Sequence, residues 1–272
     1  MENPICLNSN TYHGYTLEEA VQGAVASGIH AIEIAAVRGY TEHVRADMSE
    51  AEVDAVLALL AANDLTAVGL CGHTNILTED GRTAFVENLD LARRLGVQYV
   101  VTSAGETHGD ASIIDDDTEV VEHLRQLAEE AARRDLTLAI ETHGNNYATG
   151  GQVSALLAKV GAANLRIAYD TGNVIFYGGT EPYDDLDAHA AEVVDIHLKD
   201  KTGAQAEWNF PAVGRGDLDV ARVLSILEAR GCAAPLSIEI EFTSAGPSSV
   251  EEVHEALAHS VRTIRTIRTI AN

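Results

Sequence analysis

The chain has 272 residues, of which 46% are hydrophobic, and this is enough apolar material for a large buried core. Its 42 acidic and 18 basic residues give a formal charge of −24, which disfavours binding to nucleic acid or to an anionic membrane surface. With three widely spaced cysteines, no signal-peptide pattern at the N-terminus and no apolar stretch of membrane-spanning length, we expect a cytoplasmic protein without disulfide bonds.

Short apolar runs alternate with longer helical patterns along the chain. Eight runs predict strands that are buried on both faces: 4–8, 30–36, 65–71, 97–103, 136–141, 165–170, 193–198 and 236–241. Helical patterns lie between and after them, at 16–27, 49–63, 80–95, 117–134, 151–160, 183–191, 218–230 and 249–270. The first two helices open with a capping box, Thr16 with Glu19 and Ser49 with Glu52.

Eight strands that are each followed by a helix predict an α/β fold, the (β/α)8 TIM barrel. No Pro-, Gly- or Ser-rich linker interrupts the sequence, so we expect a single domain over residues 1–272. A doubly wound open sheet is the structural alternative. It is disfavoured because residues 7–14, which follow the first strand, contain no Gly-rich phosphate-binding turn.

Polar residues stand at the carboxyl ends of the predicted strands, where a barrel carries its catalytic side chains. The fifth to eighth strands end in Glu141, Asp170, His197 and Glu239. Consecutive strands of a barrel converge on one side of its mouth, so three carboxylates there would repel one another unless a cation joined them. Three carboxylates and one imidazole suit one divalent metal ion, Mn, Mg or Co, with Zn as a further choice.

Other polar residues at these strand ends are candidates for contacts with a substrate. The second strand carries Glu33 and the third runs into His73, and for each of them a buried structural hydrogen bond is the alternative. His143 either reaches the substrate or supports a ligand. The fourth strand runs into Glu106 and His108.

Two further candidates come from the seventh strand and the loop after it. Lys199 follows His197 by two positions and is expected to face inward, where it binds a substrate oxyanion or pairs with Asp200 or Glu241. Trp208 lies in the long loop after this strand. It covers a sugar face or packs the loop onto the barrel, together with Phe210.

These residues, in this order and spacing, resemble the xylose-isomerase-like barrels, a sugar phosphate isomerase/epimerase superfamily that includes ketose 3-epimerases, inosose dehydratases and endonuclease IV. The resemblance covers nearly the whole chain, and its sharpest segments are 140–141, 169–173, 196–200, 213–216 and 235–239. It implies that Glu141, Asp170, His197 and Glu239 hold the metal. It also implies that the two glutamates act as acid and base on opposite faces of the substrate.

Three positions depart from the pattern of the ketose 3-epimerases. Asn173, a candidate substrate contact, stands where they commonly carry a His, and Tyr147 stands where they carry a second Glu. Gly203 stands where they carry an Arg. These differences keep other reactions of the superfamily open.

We expect a metal-dependent isomerase or epimerase of a small sugar, keto-sugar or polyol derivative, which works through a metal-stabilised enediolate. The alternative is a lyase: a dehydratase, a β-eliminating enzyme or a decarboxylase acting on an oxidised sugar. Endonuclease IV-like DNA repair, which needs more His ligands and a basic face, and a non-catalytic sugar-binding barrel are less favoured. The expected partner is a small carbohydrate, and assembly into a homo-oligomer stays open.

Overall fold

The computed structural model describes residues 3–104, 113–114 and 116–271. Eight parallel strands in this part of the chain form a closed sheet: β1 (Ile5–Asn8), β2 (Ala31–Val37), β3 (Thr66–Cys71), β4 (Tyr99–Thr102), β5 (Thr137–Glu141), β6 (Leu165–Asp170), β7 (Val193–Leu198) and β8 (Leu236–Ile238). The sheet closes because β1 pairs with both β2 and β8. All eight predicted strands are confirmed, and their ends differ from the prediction by at most three residues.

Helices surround this sheet in the described residues: α1 (Leu17–Ser27), α2 (Glu50–Ala62), α3 (Glu79–Leu95), α4 (Thr118–Ala132), α5 (Gly150–Val160), α6 (Thr171–Phe176), α7 (Pro182–His189), α8 (Val220–Ala229) and α9 (Val250–Ala271). The prediction of a single-domain (β/α)8 TIM barrel is confirmed. The short helix α6 was not predicted, because six residues are too few to show helical periodicity.

Local sequence signals explain where several helices begin and end. Both predicted capping boxes are present, at Thr16 before α1 and at Ser49 before α2. Gly28 and Gly96 end α1 and α3 in the left-handed conformation, with φ of 68° and 72°. The main apolar core fills the layer between the strands and these helices.

Acidic side chains extend two layers deep inside the barrel. Residues two apart on a strand point to the same face, so Asp195 and His197 of β7 both face inward. Ser237 on β8 and Glu239, which follows that strand, have the same relation. The barrel therefore carries a lower polar layer beneath the residues at its mouth.

Two simpler expectations can be compared with the structure. Cys6, Cys71 and Cys232 are buried, and each is a free thiol. Over the described ranges, no helix has both the length and the apolar character needed to cross a membrane.

Candidate metal centre

The four predicted ligands come from neighbouring strands. Glu141 and Asp170 are the last residues of β5 and β6, His197 is the penultimate residue of β7, and Glu239 directly follows β8. Asp170 and His197 stand opposite each other in the register of β6 and β7. Parallel strands bring their carboxyl ends to one rim, so residues far apart in sequence converge there.

The spacing of these four side chains suits a single cation. One donor atom from each of them lies within 4.8 Å of the donor atoms of the others, and all four residues are buried. His197 Nδ1 lies 2.7 Å from Glu141 Oε1, 3.5 Å from Glu239 Oε2 and 4.0 Å from Asp170 Oδ2. Oxygen and nitrogen ligands bind divalent cations at about 2.0–2.6 Å, so two ligands on opposite sides of an ion stand roughly 4–5 Å apart.

In Asp170 and in Glu239, one carboxylate oxygen makes a structural hydrogen bond and the other faces the candidate metal centre. Asp170 Oδ1 accepts the Asn173 N–H at 2.8 Å and so caps α6, while Glu239 Oε1 accepts from Asn10 Nδ2 at 2.9 Å. The other oxygens, Asp170 Oδ2 and Glu239 Oε2, are buried and receive no well-aligned hydrogen bond within the described part of the chain. Buried carboxylate oxygens require a facing charge, which Lys199 supplies here and which a divalent ion held by these four donors would also supply.

Local charges determine the ionisation of these carboxyl groups. Burial alone would raise the pKa of Glu141, but His73 and His197 outweigh it and hold that pKa below its usual range. In the same way, Lys199 and His197 outweigh burial at Glu239 and hold its pKa low. At Asp170 burial prevails over Lys199 and raises the pKa to about 7. Glu141 and Glu239 are therefore ionised at neutral pH.

A second acidic pair lies on the other side of the same imidazole. We call Glu141, Asp170 and Glu239 the upper carboxylates, and Glu33 and Asp195 the lower carboxylates. His197 Nε2 lies 3.1 Å from Glu33 Oε2 and 3.1 Å from Asp195 Oδ2.

The lower carboxylates are sealed and are supported from below. Ser237 donates a hydrogen bond from Oγ to Asp195 Oδ1 at 2.8 Å, and Glu33, Asp195 and His197 are all fully buried. Burial and the charge of Asp195 raise the pKa of Glu33 to about 8, against the opposing effect of His197. The donor atoms of Glu33, Asp195 and His197 also lie close enough together to hold a metal ion. However, a proton on Glu33, together with Ser237 and His197 beside Asp195, stabilises the pair without a metal ion.

Lys199 lies between the upper carboxylates and the cavity. Its Nζ is 2.9 Å from Asp170 Oδ2, 2.8 Å from Glu239 Oε2 and 2.9 Å from Glu241 Oε2. Burial alone would lower the pKa of Lys199, but these carboxylates outweigh it and hold the pKa well above its usual value. The predicted pairing with Glu241 is therefore present.

The predicted pairing of Lys199 with Asp200 is absent. The Asp200 carboxylate accepts hydrogen bonds from four backbone N–H groups, those of Lys201, Gly214, Gly216 and Leu218. It thereby fixes the loop after β7.

A cavity of about 410 Å³ opens above Glu141 and Glu239. Its wall combines polar groups with aromatic and apolar ones, among them Asn10, Tyr40, Cys71, Thr74, Tyr177 and Glu241. Such a mixture of a few convergent polar groups and apolar surface is typical of small-molecule sites.

Most of the predicted substrate contacts lie on this cavity. His73, His143, Asn173, Lys199 and Trp208 all line it. His73 Nε2 lies 3.4 Å from Glu141 Oε2, and the ring of His143 lies 4.9 Å from the ring of Tyr177.

Other sequence-based expectations need correction or lie outside the described residues. Glu33 does not line the cavity, because it lies fully buried beneath His197; the buried hydrogen bond, not the substrate contact, is what the structure shows. Phe210 is also buried, 5.1 Å from the Trp208 ring, so it packs the loop instead of covering a ligand. Glu106 and His108 lie outside the described residues.

The sequence prediction missed several residues that contact the centre, among them Asp195 and Asn10. Asp195 stands two residues before His197 on β7, and the period of two along a strand was a usable signal for its inward direction. Asn10 had no comparable signal. It reaches Glu239 from a short 3-10 helix, Ser9–Tyr12, that follows β1.

The fold and this cluster define a (β/α)8 barrel with a candidate divalent-metal centre at its mouth. The family described as xylose isomerase-like TIM barrel matches residues 21–267, and the chain belongs to this family. Its fold is similar to that of a xylose isomerase domain protein from Planctomyces limnophilus, with a TM-score of 0.77 at 19% identity over 98% of this chain and 97% of that one.

Two curated relatives show which activities occur among similar sequences. The chain is 25% identical over 207 residues to a probable L-ribulose-5-phosphate 3-epimerase of Mycoplasma pneumoniae, which covers 72% of this chain and 67% of the relative. It is 29% identical over 164 residues to a 3-dehydroshikimate dehydratase of Pseudomonas aeruginosa, which covers 56% of this chain. The match spans only 24% of that dehydratase. An isomerase or epimerase and a lyase are thus both represented.

Proposed function

We propose that this protein is a divalent-metal-dependent isomerase or epimerase of a small sugar, keto-sugar or polyol derivative. The observation that carries the proposal is the pair Glu141 and Glu239. Both are buried carboxylates that the surrounding positive groups keep ionised, both lie within 3.5 Å of His197 Nδ1, and both line one cavity. The ion is Mn, Mg or Co, since the donor set is rich in oxygen.

The two glutamates supply the proton transfers. A divalent ion held by Glu141, Asp170, His197 and Glu239 would polarise a substrate carbonyl and acidify the neighbouring C–H bond. One glutamate takes that proton and the other returns a proton to the substrate. Return to the opposite face of the same carbon inverts its configuration, whereas return to the adjacent carbon moves the carbonyl group.

The cavity wall orients the substrate for these transfers. His73 and Asn173 present polar groups to hydroxyls of the substrate, and Trp208 presents an aromatic surface. His73 also approaches Glu141 to 3.4 Å, so it holds the side chain of one proton-transfer residue. Restricting both the substrate and the base in this way lowers the entropy cost of the reaction.

A lyase is the second candidate, and Lys199 is the observation that favours it. Its ammonium group lines the cavity beside Glu239 and Glu241. A cation at this position suits an oxidised substrate that carries a carboxylate, and one of the curated relatives is a 3-dehydroshikimate dehydratase. The same proton removal by one glutamate, followed by loss of a β-hydroxyl group as water with a proton from the other, would give dehydration.

The first experiment is to measure bound metal and then to follow solvent deuterium entering substrate C–H bonds in D₂O. A panel of keto-sugars is compared with oxidised, carboxylate-bearing sugars. We expect Mn²⁺-loaded protein to exchange a C–H of one compound and Glu239→Gln to lower that rate by about 10²–10⁴-fold, the usual contribution of a positioned acid or base. The product separates the two candidates, because an epimer or isomer indicates the first and an unsaturated acid the second.

Glu228→Gln is the matched control, because Glu228 is an exposed glutamate on α8 in the outer ring of helices. It should exchange deuterium at the wild-type rate. Protein that binds no divalent metal, or a Glu239→Gln variant that exchanges as fast as Glu228→Gln, would contradict the proposal and favour a sugar-binding role.

A further inference from the structure

Lys199 and a bound metal ion would compete for the same oxygens. Lys199 Nζ stands 2.9 Å from Asp170 Oδ2 and 2.8 Å from Glu239 Oε2. These two atoms are also the ones that receive no well-aligned hydrogen bond within the described ranges. An ammonium and a divalent ion would therefore be two positive charges facing the same oxygen atoms.

The stem of Lys199 is held in place by a small neighbour. A Cβ added to Gly172 would stand 2.8 Å from Lys199 Cγ and 2.9 Å from its Cδ, so only glycine leaves room for the side chain there. The lysine is almost completely buried, and its Nζ also lies 5.2 Å from the centre of the Phe210 ring. Close packing of the stem therefore fixes the ammonium group beside the candidate metal centre.

Glu241 offers this ammonium an alternative partner. Its Oε2 lies 2.9 Å from Lys199 Nζ, and Glu241 is not one of the four candidate metal ligands. Lys199 can therefore move away from Asp170 and Glu239 while it keeps one ion pair. Lys199 and Glu241 both line the cavity, so an ammonium that moves toward Glu241 would still face it.

We infer that Lys199 is a tethered competitor of the metal ion, which sets the metal affinity of the centre and turns to Glu241 when the ion binds. The inference rests on the metal centre of the proposed function and adds a role for a residue that is not a ligand. Lys199 would keep the carboxylates compensated without metal and make the centre exchange its ion readily. The released ammonium would then be free for the substrate.

The test is the affinity for Mn²⁺ alone, measured by calorimetry and by the electron paramagnetic resonance signal of free Mn²⁺ on protein stripped with a chelator. Lys199→Met keeps the length of the stem and removes the charge. We expect it to bind Mn²⁺ at least about tenfold more tightly than the wild type, because a facing positive charge is lost. Thermal unfolding gives a second readout, since Mn²⁺ should raise the Tm of Lys199→Met more than that of the wild type.

Lys201→Met is the matched control for the loss of a buried positive charge. Lys201 is also buried and lies two residues further on, but its Nζ donates hydrogen bonds to the carbonyls of Thr202 and Ala204. It should leave the Mn²⁺ affinity within about threefold of the wild type, because it faces no ligand carboxylate.

A double-mutant cycle tests whether Glu241 acts through Lys199. Glu241→Gln should weaken Mn²⁺ binding in the wild-type background, because the ammonium then has only the ligand carboxylates as partners. The effect should shrink by more than half in the Lys199→Met background. An effect of equal size in both backgrounds would mean that Glu241 acts only through its own charge, and this would overturn the proposed movement of Lys199.

The remaining outcomes separate the inference from the proposed function. If wild-type protein binds Mn²⁺ and folded Lys199→Met binds it equally or more weakly, the competition is wrong while the metal centre stands. If neither protein binds Mn²⁺, the metal centre is wrong and the inference fails with it.

Discussion

The two acidic groups on either side of His197 are built from the same residue types but have different surroundings. The upper carboxylates face His197 Nδ1 and open on the cavity through Glu141 and Glu239. The lower carboxylates, Glu33 and Asp195, face His197 Nε2 and are fully buried. One imidazole thus separates a group that a substrate can reach from a group that it cannot.

Because of this difference in surroundings, the upper and the lower carboxylates have different roles. The carboxylate oxygens of the upper group, which lie close to His197 Nδ1, suit metal binding and proton transfer. Glu33 accepts the N–H of His197 Nε2, and Asp195 Oδ2 lies 3.1 Å from the same nitrogen, so with a metal ion bound the Nδ1 lone pair would be directed at the ion. Partners of a metal-binding histidine usually fix its ring and tautomer in this way. A metal-binding residue type in a sealed layer is therefore not by itself evidence for a second metal.

The largest expected effect is at Asp170, in the upper group. Asp170→Asn can keep the helix cap, because the amide oxygen can still accept the Asn173 N–H, but it loses the charge on the second oxygen. We expect Mn²⁺ affinity to fall by more than the roughly 10–100-fold that supporting residues cost. Calorimetry with Mn²⁺ measures this, and the fluorescence of Trp208, the single tryptophan of the chain, reports on the cavity.

Asp185→Asn is the matched control for this variant. Asp185 also accepts backbone N–H groups at the start of a helix, those of Gly150 and Gly151, but it lies on the outer side of the barrel. It should lower the Tm without changing the affinity for Mn²⁺. Equal metal affinity for Asp170→Asn and the wild type would remove Asp170 from the centre.

An intermediate effect is expected at Asp195, in the lower group. Asp195→Asn keeps the shape but replaces the carboxylate that lies 3.1 Å from His197 Nε2 by an amide. We expect Mn²⁺ affinity to fall by about 10–100-fold, the usual cost of losing a partner of a metal-binding histidine. The maximal rate should be within a few-fold of the wild type at saturating Mn²⁺, because the upper carboxylates are intact. Titration of activity against Mn²⁺ concentration separates the two parameters, and a loss of rate that Mn²⁺ does not restore would place Asp195 in the chemistry.

The sequence predicted the upper group far better than the lower one. Strand ends can be read from apolar runs, and a residue at a strand end points to the mouth of a barrel. Glu141, Asp170, His197 and Glu239 could therefore be grouped before any distances were known. The sequence also placed Glu33 on a strand. How deep Glu33 lies in the barrel depends on the register between β1 and β2, and this register cannot be read from one sequence.

Asn10 and Lys199 show a second limit of the sequence. Asn10 reaches Glu239 through a short 3-10 helix whose sequence has no periodic pattern. The inward direction of Lys199 was predictable from its spacing to His197, but its three carboxylate partners lie at the end of β6 and in the segment after β8. Contacts of this kind depend on tertiary packing, which local patterns do not encode.

The smallest expected effect is at Glu33, and it distinguishes the two lower carboxylates from each other. Burial raises the pKa of Glu33 to about 8, so at pH 7 this residue carries its proton, and glutamine is close to it in both shape and charge. We therefore expect Glu33→Gln to keep Mn²⁺ affinity within about threefold of the wild type, well short of the roughly 10–100-fold loss expected for Asp195→Asn. Calorimetry at pH 7 measures both variants under the same conditions. If Glu33→Gln loses as much affinity as Asp195→Asn, then Glu33 is ionised beside His197, and the lower group carries two negative charges instead of one.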